Sequence, residues 1–400
     1  MTYRYFILAA VLVFSLTACH LNLNNHNGGN GGTEPDTTIF QNATSSNLPA
    51  GLSNNTVTAK AADLDSDGDL DLALAIEYQP NKILINNGNG SFSDESASRL
   101  PVQKYDTRDL TIGDFDGDGA QDLFFANNKN QNSELYINQG KGTFTDFSQR
   151  IPVTGNFTSC TSWDIDGDHN TDIMIGINGQ NLILINNGNV FFTNETTDRL
   201  PRQLDNTNDI TFGDITGEGL KDIIVANSDA NRAYLNIGSG YFKDETANRI
   251  PFIQKIEETR DINLADIDGD GDLDLYFGNS GFQSGSNAQD RILINDGSGF
   301  FSDETADRLP NLSTDTFDAD FGDLDGDGDL DLVVGNYNGG IQILLNNGSG
   351  FFSDHTTQWI PKNFYPQVND LEMADYNGDG LLDLYIAVHD GADQLLIQKE

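Results

Sequence analysis

Clusters of aspartate recur along this 400-residue chain at a spacing suited to binding a metal ion. The motif D-x-D-x-D-G-x-x-D, or a near copy, begins at Asp63, Asp114, Asp164, Asp214, Asp266, Asp323 and Asp375. Calcium takes about six to eight oxygen ligands. A tight loop can supply carboxylates from positions 1, 3, 5 and 9 and a backbone carbonyl from position 7. The pattern therefore predicts one calcium loop in each copy.

The predicted ligands at positions 1, 3, 5, 7 and 9 vary among the copies. They are Asp63, Asp65, Asp67, Asp69 and Asp71; Asp114, Asp116, Asp118, Ala120 and Asp122; Asp164, Asp166, Asp168, Asn170 and Asp172; Asp214, Thr216, Glu218, Leu220 and Asp222; Asp266, Asp268, Asp270, Asp272 and Asp274; Asp323, Asp325, Asp327, Asp329 and Asp331; Asp375, Asn377, Asp379, Leu381 and Asp383. Because Thr216 and Glu218 replace aspartates, we expect copy four to be the weakest site. His169 occupies the glycine position of copy three, where we expect a left-handed turn residue and not a ligand.

These loops differ from EF-hand loops at position 12, where an EF-hand has a bidentate glutamate. Position 12 is apolar in every copy, as in Leu74 and Phe125, so the loop should lead into a buried strand. Fewer protein ligands imply weak sites, with dissociation constants of roughly 10⁻⁴ to 10⁻³ M. The alternative is that Asp, Asn and Gly merely form turns. Four clustered carboxylates would then repel one another without compensation.

A second motif, F-x-D-E-T-x-x-R-L-P, also recurs seven times with variation, and the two motifs alternate. Within one period, residues 109–113, 122–126, 134–138 and 143–147 are apolar runs bounded by Gly, Asn and Asp, which predicts four short strands. Four strands in about 50 residues are typical of a propeller blade. The sequence therefore predicts an all-β, seven-bladed β-propeller over residues 38–400. The first strand should complete the last blade and close the ring.

These repeats resemble those of the FG-GAP/VCBS family, the propeller type also found in integrin α-subunits. The resemblance covers residues 38–400, and it implies a seven-bladed propeller whose acidic loops bind calcium.

The N-terminus has the features of a targeting segment. Arg4 precedes an apolar run that ends in Leu16-Thr17-Ala18-Cys19, which resembles the lipobox of bacterial lipoproteins. The resemblance implies a signal peptide at 1–18 and acylation of Cys19. His20 follows in place of Asp, which favours the outer membrane of the cell envelope. Residues 19–37 are rich in Asn and Gly and should form a flexible tether. The alternative is an ordinary signal peptide and a secreted protein.

Charge limits the partners of this chain. The 62 acidic and 21 basic residues give a net charge of −41, so nucleic acid and anionic lipid surfaces should be repelled. Membrane contact should be through the lipid anchor only, and we expect a monomer.

The face opposite the calcium loops should carry the variable connections, where binding usually resides. Five positions before most loops lies an aspartate, and Arg108 and Arg260 are close by in sequence; the aspartates are Asp109, Asp209, Asp261, Asp318 and Asp370. This ring could bind a cation, a sugar or a peptide at the mouth of the channel. The alternative is that each aspartate caps the turn into its strand.

Three functions fit these features. The first is a binding or adhesion module for protein or glycan. The second is a polysaccharide lyase or hydrolase on the same scaffold, although no catalytic motif is recognisable. The third is a structural scaffold within an envelope complex.

Overall fold

The computed structural model describes residues 38–52, 55–254, 256–311 and 314–399. This part of the chain is built of short, mainly antiparallel strands and single-turn helices. The second strand of each repeat is buried along its whole length, as in Asp122–Asn127, except at the end of Asp172–Gly179. Its leucine, isoleucine, valine and phenylalanine side chains pack on both faces of the sheet, as expected for a strand covered on both sides.

Four-stranded sheets, here called blades, follow one another along the chain. The strands are β1 (Phe40–Asn42), β2 (Thr56–Ala62), β3 (Asp71–Ile76), β4 (Lys82–Asn86), β5 (Phe92–Asp94), β6 (Thr107–Gly113), β7 (Asp122–Asn127), β8 (Gln131–Asn132), β9 (Glu134–Asn138), β10 (Phe144–Asp146), β11 (Thr154–Gly155), β12 (Phe157–Trp163), β13 (Asp172–Gly179), β14 (Leu182–Asn186), β15 (Phe192–Asn194), β16 (Asp205–Gly213), β17 (Asp222–Asn227), β18 (Arg232–Asn236), β19 (Phe242–Asp244), β20 (Ile256–Glu257), β21 (Thr259–Ala265), β22 (Asp274–Asn279), β23 (Ser286–Asn287), β24 (Arg291–Asn295), β25 (Phe301–Asp303), β26 (Thr316–Gly322), β27 (Asp331–Asn336), β28 (Gly340–Asn346), β29 (Phe352–Asp354), β30 (Val368–Ala374), β31 (Asp383–Val388) and β32 (Gln394–Gln398).

Within the described residues, all but four of these strands form seven blades, and β13 of the third also pairs with β16 of the fourth. The other four form two short pairs, β8 with β11 and β20 with β23. From the inner to the outer strand, blade 1 is β2-β3-β4-β5, blade 2 is β6-β7-β9-β10 and blade 3 is β12-β13-β14-β15. Blade 4 is β16-β17-β18-β19, blade 5 is β21-β22-β24-β25 and blade 6 is β26-β27-β28-β29. Blade 7 is β30-β31-β32-β1, so its outer strand comes from the start of the domain.

A short helix follows the outer strand in six blades. These helices are α1 (Thr44–Asn47), α2 (Ser96–Arg99), α3 (Thr196–Arg199), α4 (Thr246–Arg249), α5 (Thr305–Arg308) and α6 (Thr356–Trp359). Blade 2 has a 3₁₀ turn, Ser148–Arg150, because its copy of the second motif is one residue shorter. These short helices were not predicted from the sequence.

The ring closes as predicted. Phe40 of β1 pairs with Gln398 of β32 in antiparallel register, and β2 of blade 1 lies against both β6 and β30. The hydrophobic core is divided into seven clusters, and each one is shared by two neighbouring blades. The prediction of an all-β propeller with four-stranded blades is confirmed.

Each inner strand contains a bulge near its start. In β6, for example, the register shifts between Thr107 and Asp109, and Arg108 is the extra residue. A bulge redirects side chains locally. The bulged residues of all seven blades line the central cavity: Val57, Arg108, Thr158, Asn208, Arg260, Phe317 and Asn369. The acidic loops follow the other ends of the same strands, so the bulges mark the opposite face.

Candidate metal loops and the channel mouth

Three carboxylates converge in each of five acidic loops. The carboxylate oxygens of positions 1, 3 and 9 lie within 4.8 Å of one another in copies one, two, three, five and six. The carboxylate of position 5 is outside these groups. In copies four and seven, Thr216 and Asn377 replace the aspartate at position 3, so only two carboxylates occupy the three positions. Three carboxylates therefore converge only in the described loops that have aspartate at all four positions 1, 3, 5 and 9.

The aspartate at position 1 shapes the loop. In copy two, Oδ1 of Asp114 accepts hydrogen bonds from the backbone N–H groups of Gly117 (2.7 Å) and Asp118 (3.1 Å). Its Oδ2 accepts from Gly119 (2.9 Å), whose φ of +90° explains the glycine at position 6. His169 takes the same position in copy three with φ of +71°, which confirms it as a left-handed turn residue.

The aspartate at position 9 joins the loop to the third strand of its blade. Asp122 is fully buried; Oδ2 accepts from the N–H of Phe115 (2.8 Å) and Oδ1 from that of Asn138 (2.7 Å). The equivalent pair of bonds recurs in all seven copies. Burial raises the pKa of Asp122 to about 7. Without a cation, this carboxylate is therefore costly to keep charged.

The third strand carries the connection across the blade interface. The side-chain N–H of Asn138 donates to the backbone carbonyl of Leu64, at position 2 of the preceding blade's loop (2.8 Å). Five other interfaces repeat this bond through Asn86, Asn186, Asn295, Asn346 and Gln398. In blade 4, Asn236 donates instead to Lys221 within its own blade (3.1 Å). The loops are thus part of the contact between blades.

The position 3 aspartates fit a cation. In Asp65, Asp166 and Asp268, Oδ2 pairs with an arginine at 3.2, 3.0 and 3.2 Å. In each of the three, Oδ1 is buried and has no hydrogen-bond partner. Burial, together with repulsion from the position 5 aspartate, raises the pKa of Asp65 and of its equivalents. A buried carboxylate oxygen without a donor is costly, and a hard divalent cation among these oxygens would satisfy it.

The predicted aspartate ring lines a cavity of about 600 Å³ on the propeller axis. Asp109 accepts the backbone N–H of Cys160 in the next blade (2.6 Å), and Asp318 accepts that of Leu371 (2.6 Å). Asp209 and Asp370 bond in the same way, to Ile262 (3.3 Å) and Ala59 (2.9 Å). These four aspartates therefore connect adjacent inner strands across the interface, and Asp109 also accepts the N–H of Leu110 in its own strand (2.7 Å).

Asp261 is held differently, by the side-chain amide of Asn263 (2.7 Å). Burial raises the pKa of Asp209 to about 7 and that of Asp318 to about 6. Arg108 and Arg260 line the same cavity, but Arg108 pairs with Glu77 and Asp106, and Arg260 pairs with Glu258. A ligand-binding role for this ring stays a prediction.

A second charged layer, not predicted from the sequence, lies beside the aspartate ring. Two residues further along the inner strands lie Lys60, Asp320 and Glu372. Lys60 approaches Glu372 at 3.7 Å, and Glu372 accepts the N–H of Ala61 in the next blade (2.8 Å). The alternation of a strand could have revealed it, because residues i and i+2 face the same side.

Aromatic side chains cluster beside the mouth of the cavity, on the face opposite the acidic loops. Phe282, Phe317, Tyr337 and His389, here called the aromatic platform, come from three blades. Phe317 stacks on Tyr337 with 4.9 Å between centroids, and Phe282 packs edge-on against both, at 5.7 and 5.4 Å. Tyr337 also contacts His389 (5.0 Å). These four residues share no motif, and the cluster was not predicted from the sequence.

Polar contacts fix the platform. Asp315 accepts the N–H of Gly281 (2.9 Å) and the side-chain amide of Asn338 (3.0 Å), and so holds the two loops together. The guanidinium of Arg260 lies 5.3 Å from the ring centroid of Phe317 and 5.7 Å from that of Phe282. Rings held in this way need little reorganisation when a ligand arrives.

Comparison with known families settles the relationship of these repeats. A model described as an FG-GAP-like repeat matches residues 63–125, 114–175, 164–225, 215–277, 281–334 and 323–386. The chain belongs to this FG-GAP-like repeat family. No curated protein matches the chain significantly.

Solved structures with the same fold are distant in sequence from this FG-GAP-like repeat protein. The BP39L lectin from Burkholderia pseudomallei is 10% identical, with a TM-score of 0.61 over 86% of this chain and 96% of that one. BBS1N in complex with ARL6DN is 16% identical, with a TM-score of 0.58 over 91% and 98%. YCF48 bound to D1 peptide is 9% identical, with a TM-score of 0.53 over 91% and 96%. At these identities the likeness shows the fold alone.

The predicted signal peptide, Cys19 and the tether lie outside the described residues. Among the described residues, no helix is long and apolar enough to cross a membrane.

The two bonds to position 9 give the first testable prediction for this FG-GAP-like repeat protein. In excess EGTA, Asp122→Ala should lower the free energy of unfolding by roughly 2–6 kcal/mol, because two buried N–H groups lose their acceptor. Asp118→Ala, at the exposed position 5, should cost less than about 1 kcal/mol. Urea denaturation followed by tryptophan fluorescence measures both. Equal losses in the two variants would contradict the structural role of Asp122.

Proposed function

We propose that this FG-GAP-like repeat protein is a calcium-stabilised binding module that takes a neutral glycan at the channel mouth. The observation that carries this proposal is the aromatic platform beside a cavity, on the face opposite the acidic loops. Ligand sites are typically concave, with aromatic walls and a few polar groups that fix orientation.

The platform offers both surfaces that a sugar ring needs. Phe282 is 46% exposed, and the face of an aromatic ring is electron-rich and attracts the weakly positive C–H groups of a pyranose. The adjacent cavity is lined by Asn369, Asn208, Thr158 and Asp318, whose side chains can bond to hydroxyl groups.

Charge favours a neutral glycan over an anionic one. The cavity is lined by six aspartates, one lysine and two arginines that pair with neighbouring acids, and the whole chain has a net charge of −41. An acidic polysaccharide would be repelled from such a mouth. Two other propellers fit the general role, because BP39L is a lectin and YCF48 binds a peptide. A protein ligand is therefore the outcome that the binding test must separate from a glycan.

Calcium would be held by positions 1, 3 and 9 of the acidic loops, with water and loop oxygens completing the shell. Its chemistry here is electrostatic: it neutralises carboxylates that repel one another and satisfies the unpartnered Oδ1 atoms. Copies four and seven both lack a carboxylate at position 3, and copy four is the weakest site because it has Thr216 there, where copy seven keeps the amide oxygen of Asn377. The loops face away from the ligand, which gives the metal a structural role and not a catalytic one.

The chain would act at the cell envelope. The lipobox-like Leu16-Thr17-Ala18-Cys19 and the Asn- and Gly-rich residues that follow support an acylated anchor and a tether. Several acyl chains hold a protein on a membrane stably, whereas one chain does not.

Calcium should raise the melting temperature markedly. With five sites of about 10⁻³ M affinity, 10 mM calcium adds about 7 kcal/mol, or roughly 9 °C for a domain of this size. Differential scanning calorimetry in calcium and in EGTA measures the shift. Magnesium at the same concentration is the control and should give a smaller rise, because it dehydrates reluctantly. An identical melting curve in EGTA would contradict the stabilising role.

Ligand binding should depend on the platform. A glycan array should identify a neutral sugar, and Phe282→Ala and Tyr337→Ala should each weaken its binding about tenfold or more, which is about 1.4 kcal/mol. The matched control is Phe300→Ala, which removes an equally exposed ring (47%) near the acidic loops. Assays for released or unsaturated sugars run in parallel. An equal loss of binding in the control would contradict a glycan site on the aromatic platform. Binding to proteins but to no glycan would contradict the proposed ligand class, and release of sugar products would favour an enzyme.

Lipid attachment should depend on Cys19. In a bacterial host, cells fed labelled palmitate should label the wild type and Cys160→Ser, which removes the buried cysteine of the propeller. Cys19→Ser should lose the label and leave the membrane fraction. Persistent labelling of Cys19→Ser would rule out the anchor.

A further inference from the structure

Three arginines link an acidic loop to the neighbouring blade. Arg99 ends α2 of blade 1 and pairs with Glu95 in its own helix (Nε–Oε2, 2.6 Å) and with Asp65 at position 3 of its own loop (Nη2–Oδ2, 3.2 Å). Its Nη1 donates to the carbonyl of Lys141, in the turn between the third and fourth strands of blade 2 (2.5 Å). One side chain thus contacts the candidate metal loop and the next blade.

Arg199 and Arg308 repeat the arrangement. Arg199 pairs with Glu195 (2.8 Å) and Asp166 (3.0 Å) in blade 3, and it donates to the carbonyl of Ser239 in blade 4 (2.6 Å). Arg308 pairs with Glu304 (2.7 Å) and Asp268 (3.2 Å) in blade 5 and donates to the carbonyl of Ser349 in blade 6. Each also lies over an aromatic ring of the next blade, Tyr241 (5.2 Å) or Phe351 (4.9 Å).

The arginine leaves one carboxylate oxygen for a metal. Each arginine pairs with Oδ2 of Asp65, Asp166 or Asp268. Oδ1 of the same aspartate is buried and has no hydrogen-bond partner in the described part of the chain. Arg199 and Arg308 are themselves more than nine-tenths buried. A planar guanidinium held at three points fixes the orientation of the carboxylate.

Two other blades provide an internal comparison. Arg150 and Arg249 also reach the next blade, at the carbonyls of Asn189 (3.0 Å) and Ser298 and over the rings of Phe191 and Phe300. Neither has an ion pair with a position 3 carboxylate among the described residues. In blade 4 that position is Thr216, and in blade 2 the arginine is displaced by one residue. These arginines contact the neighbouring blade without holding a loop aspartate.

We propose that Arg99, Arg199 and Arg308 are positioning residues for calcium and couple the metal loops of blades 1, 3 and 5 to blades 2, 4 and 6. The inference rests on the calcium sites proposed above. Partners in the second coordination shell orient a ligating carboxylate, and their loss typically weakens metal binding about 10–100-fold. Simple charge repulsion between guanidinium and calcium predicts the opposite sign, so removal of the arginine separates the two effects.

Calcium titration calorimetry on three proteins tests the proposal: the wild type, a triple Arg99→Ala, Arg199→Ala, Arg308→Ala variant, and a control with Arg150→Ala and Arg249→Ala. The triple variant should bind three ions at least about tenfold more weakly. The control should keep the wild-type affinity and number of ions. Both variants lose contacts with the next blade, so the melting temperature in EGTA should fall in both. Only in the triple variant should calcium raise the melting temperature by less than it does in the wild type.

Unchanged or tighter calcium binding by the triple variant would overturn the proposal, as would an equal effect in the control. A wild type that binds no calcium would refute the proposed metal sites instead.

Hydrogen exchange tests the coupling even if the triple variant does not fold. In calcium, Asp65→Ala should reduce protection of the blade 2 turn at 139–143, which Arg99 contacts. Asp116→Ala, at the same position 3 of blade 2, should leave the blade 3 turn at 187–191 unchanged, because Arg150 reaches that turn but pairs with no loop carboxylate among the described residues. Loss of protection in both turns, or in neither, would contradict the coupling.

Discussion

Contact between the blades depends on one buried carboxylate in each repeat, the aspartate at position 9 of the acidic loop. Its two oxygens are bonded to backbone N–H groups of the loop and of the third strand. The third strand then bonds through an asparagine or glutamine side chain to the preceding loop at six interfaces. Loop conformation and ring assembly are therefore not independent. This explains how ions bound within separate blades could stabilise a ring whose cores lie between blades.

The repeat made the fold predictable. Seven acidic loops in phase with seven F-x-D-E-T segments fixed the length of a blade, and the strand-like residues 38–44 had no other partner than the last blade. The sequence could not tell which predicted ligands converge in the loop, because positions 5 and 9 are both aspartate in nearly every copy and both fit the expected spacing. The structure separates them: Asp118 is exposed and Asp122 is buried. That difference arises from the third strand, whose distance from the loop the motif does not encode.

Features that depend on non-repeating residues escaped the sequence analysis. The aromatic platform draws on Phe282, Phe317, Tyr337 and His389, which come from different loops and strands and share no motif. The arginine of the R-L-P segment, such as Arg99, reaches the next blade. Its pairing with Asp65 could not be read from a separation of 34 residues. Both depend on which neighbour the ring places beside each residue.

The seam between β1 and β32 constrains how this protein can form. Residues 40–42 of β1 cannot pair until residues 396–398 of β32 have been synthesised. The first strand of the propeller is therefore among the last to be paired. Until then, the outer edge of β31 is unpaired, and open strand edges can pair with other chains. Chaperones that protect unfinished chains would therefore be needed longest at this seam. Loss of residues 396–398 would leave β1 without its partner and expose the outer edge of β31, while β30 would still contact β2.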